Sequence, residues 1–305
     1  MDGKRKRVAL VIGSGSVKCA AAIGIQNVLS REGIGLDMVV GCSAGAIYAA
    51  LMASGLTGAD AATMTARLWT REVTDKRNTA AVFKALAPRL FGFDPGQFGL
   101  RDDRLIKARL RESFGDAQIE DMQIRLHITA TDFSNGEQVV LSKGSVVDAI
   151  RASVALPFAF SPWRVDGKLL VDGFLSDPMP LGVAIKNGAD VIVAVGFESP
   201  YQRKVRSPGR FAFQLSAIMS NNLLKSRFAF HSMAHHSEVI TILPRFRERI
   251  GLFDTSKLDY IVSEGERAAE EQLPYLRELL SASEQTAAFE AVAGVALTQR
   301  RDHDV

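Results

Sequence analysis

Two short apolar runs, each leading into a turn of small residues and then a helix, set the tightest limit on how this chain folds. Residues 8–12 read Val-Ala-Leu-Val-Ile without a polar break, the pattern of a strand buried on both faces. A Gly/Ser turn follows, then a small-residue helix over about 18–31. The unit then repeats. Residues 36–40 form a second strand, Gly41-Cys42-Ser43 makes a sharp turn, and a helix over about 44–54 stops at Gly55. Further strands are expected at 125–130, 138–141, 168–171, 191–195 and 239–243, and a helix over 146–153 precedes the break at Pro157. This alternation predicts a three-layer α/β/α fold with a mostly parallel central sheet.

The 305 residues are read as a single domain, with 47% hydrophobic and 23% charged content arguing against disorder. Its core is expected at about 8–200. A helical, cap-like insertion with many aromatics occupies about 57–110, and a mainly helical extension covers about 205–281. The weakly patterned tail beyond that is expected to fray. A net charge of +3 does not suggest a dedicated nucleic-acid binder. Two cysteines, Cys19 and Cys42, make no disulfide framework and fit a reducing compartment. The basic start, Lys4 to Arg7, precedes an apolar run too short for a secretory leader. No apolar stretch reaches the length of a membrane span. The expected setting is cytoplasmic, with peripheral membrane contact open. Oligomeric state is not readable.

Gly41-Cys42-Ser43-Ala44-Gly45 matches G-x-S-x-G in its required context, an apolar strand before and a helix after. A serine on such a strained turn projects its hydroxyl beyond the sheet edge, and the helix N-terminus favours negative charge there. The plain alternative is a tight turn with a capping serine. A serine nucleophile needs a base. A Ser–Asp–His order is available through Ser43, Asp172 and His231, His235 or His236. Only about one strand fits before residue 36, however, which disfavours the α/β-hydrolase arrangement, and these histidines read as surface or helix-end residues. His127 reads as structural. Cys42, at the x position of the turn, should face away from any substrate.

The first turn, Gly13-Ser14-Gly15-Ser16-Val17-Lys18, lets backbone N–H groups point into a cavity, where they could hold a phosphate or an oxyanion. It fits neither the dinucleotide fingerprint nor the Walker pattern. Asp166-Gly167 is a turn signal. Asp172-Gly173 differs, because a buried strand delivers it and Pro178 and Pro180 fix the exit.

In this order, the anion turn, the serine turn and the strand-borne Asp-Gly resemble the patatin-like phospholipase family, especially its bacterial branch. Thr131-Asp132 with Asn135-Gly136-Glu137, Ala149-Ile150-Arg151-Ala152-Ser153, Leu156-Pro157 and Val171-Asp172-Gly173 extend the resemblance over about 8–197, with weaker likeness at 263–276. It implies a Ser43–Asp172 dyad without histidine and an oxyanion hole from the amides near Ser14, Gly15 and Ser16. Gly13, Lys18, Gly41, Gly45 and Gly173 would support it. It also implies a lipid ester substrate and no cofactor; no residue cluster has metal-ligand spacing, so no metal is expected. The family's Gly-Gly-Gly-x-Lys/Arg-Gly turn is altered at Ser14, Ser16 and Cys19, and Phe174 follows Asp172-Gly173 where the family has glycine or alanine. If the backbone there needs positive φ, serine is penalised, although its N–H survives. Three readings follow: a phospholipase- or lysophospholipase-like acyl hydrolase; an acyltransferase or non-phospholipid esterase on the same fold; and a catalytically weakened lipid-binding protein.

Two aromatic–basic clusters bear on membrane contact. One holds Phe83, Leu86, Leu90, Phe91, Phe93 and Phe98 with Lys84 and Arg89; the other runs from Arg245 to Phe253. Most of these apolar residues are read as core or acyl-pocket lining, with an interfacial patch as the alternative.

Overall fold

The computed structural model describes residues 5–68, 78–79, 94–197, 205, 208–234, 238–251 and 254–301. Among the described residues, eight strands form one sheet: β1 (Val8–Ile12), β2 (Met38–Cys42), β3 (Arg125–Asp132), β4 (Gln138–Leu141), β5 (Trp163–Val165), β6 (Lys168–Asp172), β7 (Val191–Val195) and β8 (Glu238–Ile242). Their order is β5-β6-β3-β2-β1-β7-β8, with β4 paired to β3. The run β3-β2-β1-β7-β8 is parallel, while β4, β5 and β6 add antiparallel pairings at the other end. All residues of β1, β2 and β7 are buried, which is why their sequences run apolar without alternation.

Alternate side chains of β1 feed two cores. Val8, Leu10 and Ile12 join one with α1 (Ala21–Arg31) and α2 (Ala44–Ala53). Ala9 and Val11 join the other, with α6 (Leu181–Lys186) and Leu224 of α7 (Pro208–Ala234). Helices therefore cover both sheet faces, giving three layers. The other helices among the described residues are α3 (Gly58–Leu68), α4 (Arg104–Phe114), α5 (Val146–Ser153) and α8 (Leu258–Arg301).

Register brings the site together. Ile12 pairs with both Gly41 and Val195, so the turns after β1 and β2 leave the sheet at one edge. Cys42 pairs with Thr129 and the next residue, Ala130, pairs with Asp172. Asp172, at the end of β6, therefore lies level with Ser43 on the opposite side of β3. Helix α8 packs on α1 closely enough that a Cβ at Gly24 would lie 2.0 Å from the Val262 carbonyl oxygen, and one at Gly265 would lie 2.0 Å from that of Ala21.

The second strand begins at Met38 rather than 36, because Asp37 serves the strand start: its carboxylate accepts from Val8 N–H at 2.8 Å. Ser16–Ala20 form a tight 3-10 turn, and the chain becomes α-helical only at Ala21. The tail stays helical to Arg301, where alanine, glutamate and glutamine favour helix without an amphipathic pattern. Within the expected insertion, α3 and α4 are helical, and 69–77 and 80–93 lie outside the described residues. No described helix is long and apolar enough to cross a membrane.

Candidate active site

Ser43 occupies the last position before α2 with φ +56° and ψ −129°. Non-glycine residues hold this conformation only when their surroundings impose it. The surroundings here are crowded. A Cβ at Gly45 would lie 2.4 Å from the Ile12 carbonyl oxygen and 2.7 Å from that of Gly13, so only glycine lets α2 start against the first turn. Gly41 is pressed against Ala46 in the same way, at 2.5 Å. Ser153, at the end of α5, clamps the turn from behind. Its hydroxyl donates to the Thr129 carbonyl at 2.7 Å and accepts from Ser43 N–H at 2.8 Å.

The Ser43 hydroxyl donates to Asp172 Oδ2 at 2.8 Å across 129 positions of sequence. The other carboxylate oxygen, Oδ1, accepts from Phe174 N–H at 3.1 Å. Thr131 holds the backbone beneath by donating to the Asp172 carbonyl at 2.9 Å. Asp172 is 1% exposed. Burial pushes its carboxyl up to about 7, against the opposing pull of the Phe174 N–H and the Ser43 hydroxyl. A carboxyl group in this range accepts a proton far more readily than an ordinary aspartate. Gly173 is buried on the Thr129 carbonyl, and Phe174 is buried too, so its ring packs inward.

At the first turn, Gly13 N–H donates to the Val195 carbonyl and Ser14 N–H to the Pro178 carbonyl, each at 2.9 Å. The N–H of Ser14, one of the three residues expected at an oxyanion hole, is thus engaged by a protein carbonyl. Gly15 N–H meets no acceptor among the described residues. Phe197 stands over Gly15, 2.3 Å from where a Cβ would lie. Ser16 has φ +59°, the left-handed geometry that the family's glycine accommodates. Lys18 Nζ lies 5.8 Å from the ring centre of Phe246, which stacks on Phe197 at 6.4 Å.

No histidine enters this arrangement among the described residues. His127 Nδ1 bonds Ser142 at 2.8 Å, and burial lowers its basicity. The side chain of His231, and His235 and His236 entirely, lie outside the described residues. Both cysteines are buried free thiols: Cys42 donates to the Asp177 carbonyl at 3.4 Å and Cys19 to that of Gly13 at 3.3 Å. Phe83, Lys84, Leu86, Arg89, Leu90, Phe91 and Phe93 lie outside the described residues, as do Leu252 and Phe253. Phe98 packs edge-on against Phe158 at 6.3 Å, and Ile250 is buried.

The sequence did not single out Asp177 or Asp103. Arg151, buried within α5, pairs with Asp103 and donates to the Ser161 carbonyl at 2.9 Å, tying the α5 region to the segment before α4. Asp177 is reached by Arg227 of α7 at 3.7 Å. Both contacts join residues far apart in sequence, which no local pattern reveals.

A three-layer fold with a serine–carboxylate pair at the edge where its first two βα turns meet defines a narrow class of proteins. The family model for patatin-like phospholipases matches residues 10–185, more than half of the sequence, and the chain belongs to that family. An uncharacterised NTE family protein of Mycobacterium tuberculosis is 31% identical over 189 residues, which is 62% of this chain and 48% of the relative. Patatin-like phospholipase domain-containing protein 7 of Mus musculus is 28% identical over 190 residues, 62% of this chain and 13% of its own length. The chain thus spans about half the length of the mycobacterial relative. Among solved structures, VipD from Legionella pneumophila shares the fold with a TM-score of 0.51 at 15% identity, covering 89% of this chain and 67% of that one.

Proposed function

We propose that this chain hydrolyses carboxylic-ester bonds of lipids as a serine acyl hydrolase of the phospholipase A or lysophospholipase type. Ser43 is the nucleophile and Asp172 its base. The observation that carries the reading is the 2.8 Å hydrogen bond from the strained Ser43 to a buried carboxylate. Family membership and the phospholipase name of the mouse relative support the substrate class.

In this mechanism Ser43 Oγ attacks the ester carbonyl carbon while Asp172 takes the hydroxyl proton. The tetrahedral oxyanion is held by backbone N–H groups of the first turn, with Gly15 foremost; removing one such donor typically costs roughly 3–4 kcal/mol of transition-state stabilisation. Asp172 returns the proton to the departing alcohol as the C–O bond breaks, leaving Ser43 acylated. A water then gives a proton to Asp172 and adds its oxygen to the acyl carbon. Ser43 leaves with that proton, and the fatty acid is released.

A fluorophosphonate probe, which reports an activated serine before any substrate is chosen, should label the wild type and not Ser43→Ala. Both Ser43→Ala and Asp172→Asn should remain folded and lose ester turnover by about 10³-fold or more. Full turnover in either variant would defeat the assignment. A wild type that neither labels nor hydrolyses phospholipid, lysophospholipid or p-nitrophenyl esters would instead point to a lipid-binding protein.

A further inference from the structure

Among the described side chains of helix α7, the buried ones, Ala217, Ser220, Asn221 and Leu224, are mostly small or polar, whereas Phe211, Leu215, Ile218 and Met219 are 56%, 46%, 38% and 66% exposed. At 3.6 residues per turn those four side chains share an arc of about 100°. Asn222, Lys225, Ser226, Ala229 and Phe230 continue the exposed face toward the C-terminus. A surface helix normally turns its large apolar residues toward the core, so this stripe calls for another apolar phase.

Charge selects which one. The 27 residues Pro208–Ala234 contain Arg210, Lys225 and Arg227 and no aspartate or glutamate. An acid-free helix whose N-terminal half carries an exposed apolar stripe fits an anionic lipid surface. Position supports the same occupant. The chain enters α7 after the end of β7 and leaves it for the start of the parallel strand β8, so the N-terminal half of α7 lies toward the sheet edge that carries Ser43. Arg227 marks the level, because it reaches Asp177, whose carbonyl accepts from the Cys42 thiol beside Ser43. At 1.5 Å per residue, Met219 to Phe211 extend about 12–24 Å from Arg227 in that direction.

We propose that the Phe211–Leu215–Ile218–Met219 face of α7 docks the protein on an anionic bilayer, with the mouth of the Ser43 site turned toward the lipid. The proposal rests on the lipid-hydrolase reading for its purpose but not for its test. The test compares the wild type with a Leu215→Glu/Met219→Glu double variant and, separately, Lys225→Glu. Sedimentation with phosphatidylcholine vesicles containing about 30% phosphatidylserine reads binding. Hydrolysis of the vesicle lipid and of soluble p-nitrophenyl butyrate reads the site. The double variant should bind at least about tenfold more weakly and hydrolyse vesicle lipid correspondingly more slowly, with turnover of the soluble ester unchanged. Lys225→Glu should weaken binding only when phosphatidylserine is present. Undiminished vesicle binding by the double variant overturns the proposal. So does a wild-type dimer that the double variant dissociates while vesicle binding persists, since the stripe would then join two copies. If the wild type hydrolyses neither substrate, the hydrolase reading fails, and sedimentation still decides whether α7 docks on lipid.

Discussion

Asp172 is stabilised as an acid by its burial, and this has a consequence for stability as well as for chemistry. Its carboxyl titrates near 7 in the folded protein against an ordinary value of 3.8. Below about pH 4 both folded and unfolded chains hold the proton, so the site costs nothing. Between the two values the unfolded chain releases its proton first and stability falls as pH rises; above about 7 the full cost is present. Asp172→Asn should therefore be more stable than the wild type at pH 8, by on the order of 2–4 kcal/mol, with the gain vanishing near pH 4. Urea unfolding across that range measures it, and an unchanged difference at both pH values would contradict it. With Asp172 as base, kcat/KM of the wild type should rise with pH through about 7 and then level off. Ser43 and Asp172 could be named as candidates from the sequence because short motifs surround them. The clamp by Ser153 was not. The serine stands in a recognisable run, but its partners Ser43 and Thr129 are brought to it only by the sheet register. The penalty foreseen for serine in the first turn falls on Ser16 alone, at φ +59°.

Element by element, the buried strands were the most readable, since β1 and β7 carry unbroken apolar runs whose ends coincide with the structure. The short strand β5 was not foreseen as a strand; its three residues carry too little periodicity, and among the described residues it pairs with β6 alone. Helix α7 was foreseen only as helical, because sequence pattern identifies an apolar stripe without saying which way it faces. The α1–α8 crossing was equally hidden. Neither Gly24 nor Gly265 looks special in a helix, where glycine is simply a poor choice. In the structure each leaves room for the other helix's backbone. Gly24→Ala should force the two helices apart and cost about 2–3 kcal/mol. A lower urea midpoint with an unchanged slope would show this, and an unchanged midpoint would mean that the crossing yields freely.

For the molecule as a whole, the segment that matches the family is smaller than the unit that buries its own core. The match ends at residue 185. Strand β7, which pairs with β1 along its whole length, lies beyond it, as does α8. A protein trimmed to end near residue 185 would leave Val8–Ile12 as an open sheet edge of five apolar residues with unpaired backbone groups, a ready template for another chain to extend. It would also uncover the side of α1 where α8 now lies. Such a fragment retains both Ser43 and Asp172, yet it should elute from gel filtration as aggregate, and a soluble monomer with native circular dichroism would refute this. Anyone excising the segment around Ser43 and Asp172 for transplantation should therefore cut by strand pairing, not by the ends of sequence similarity.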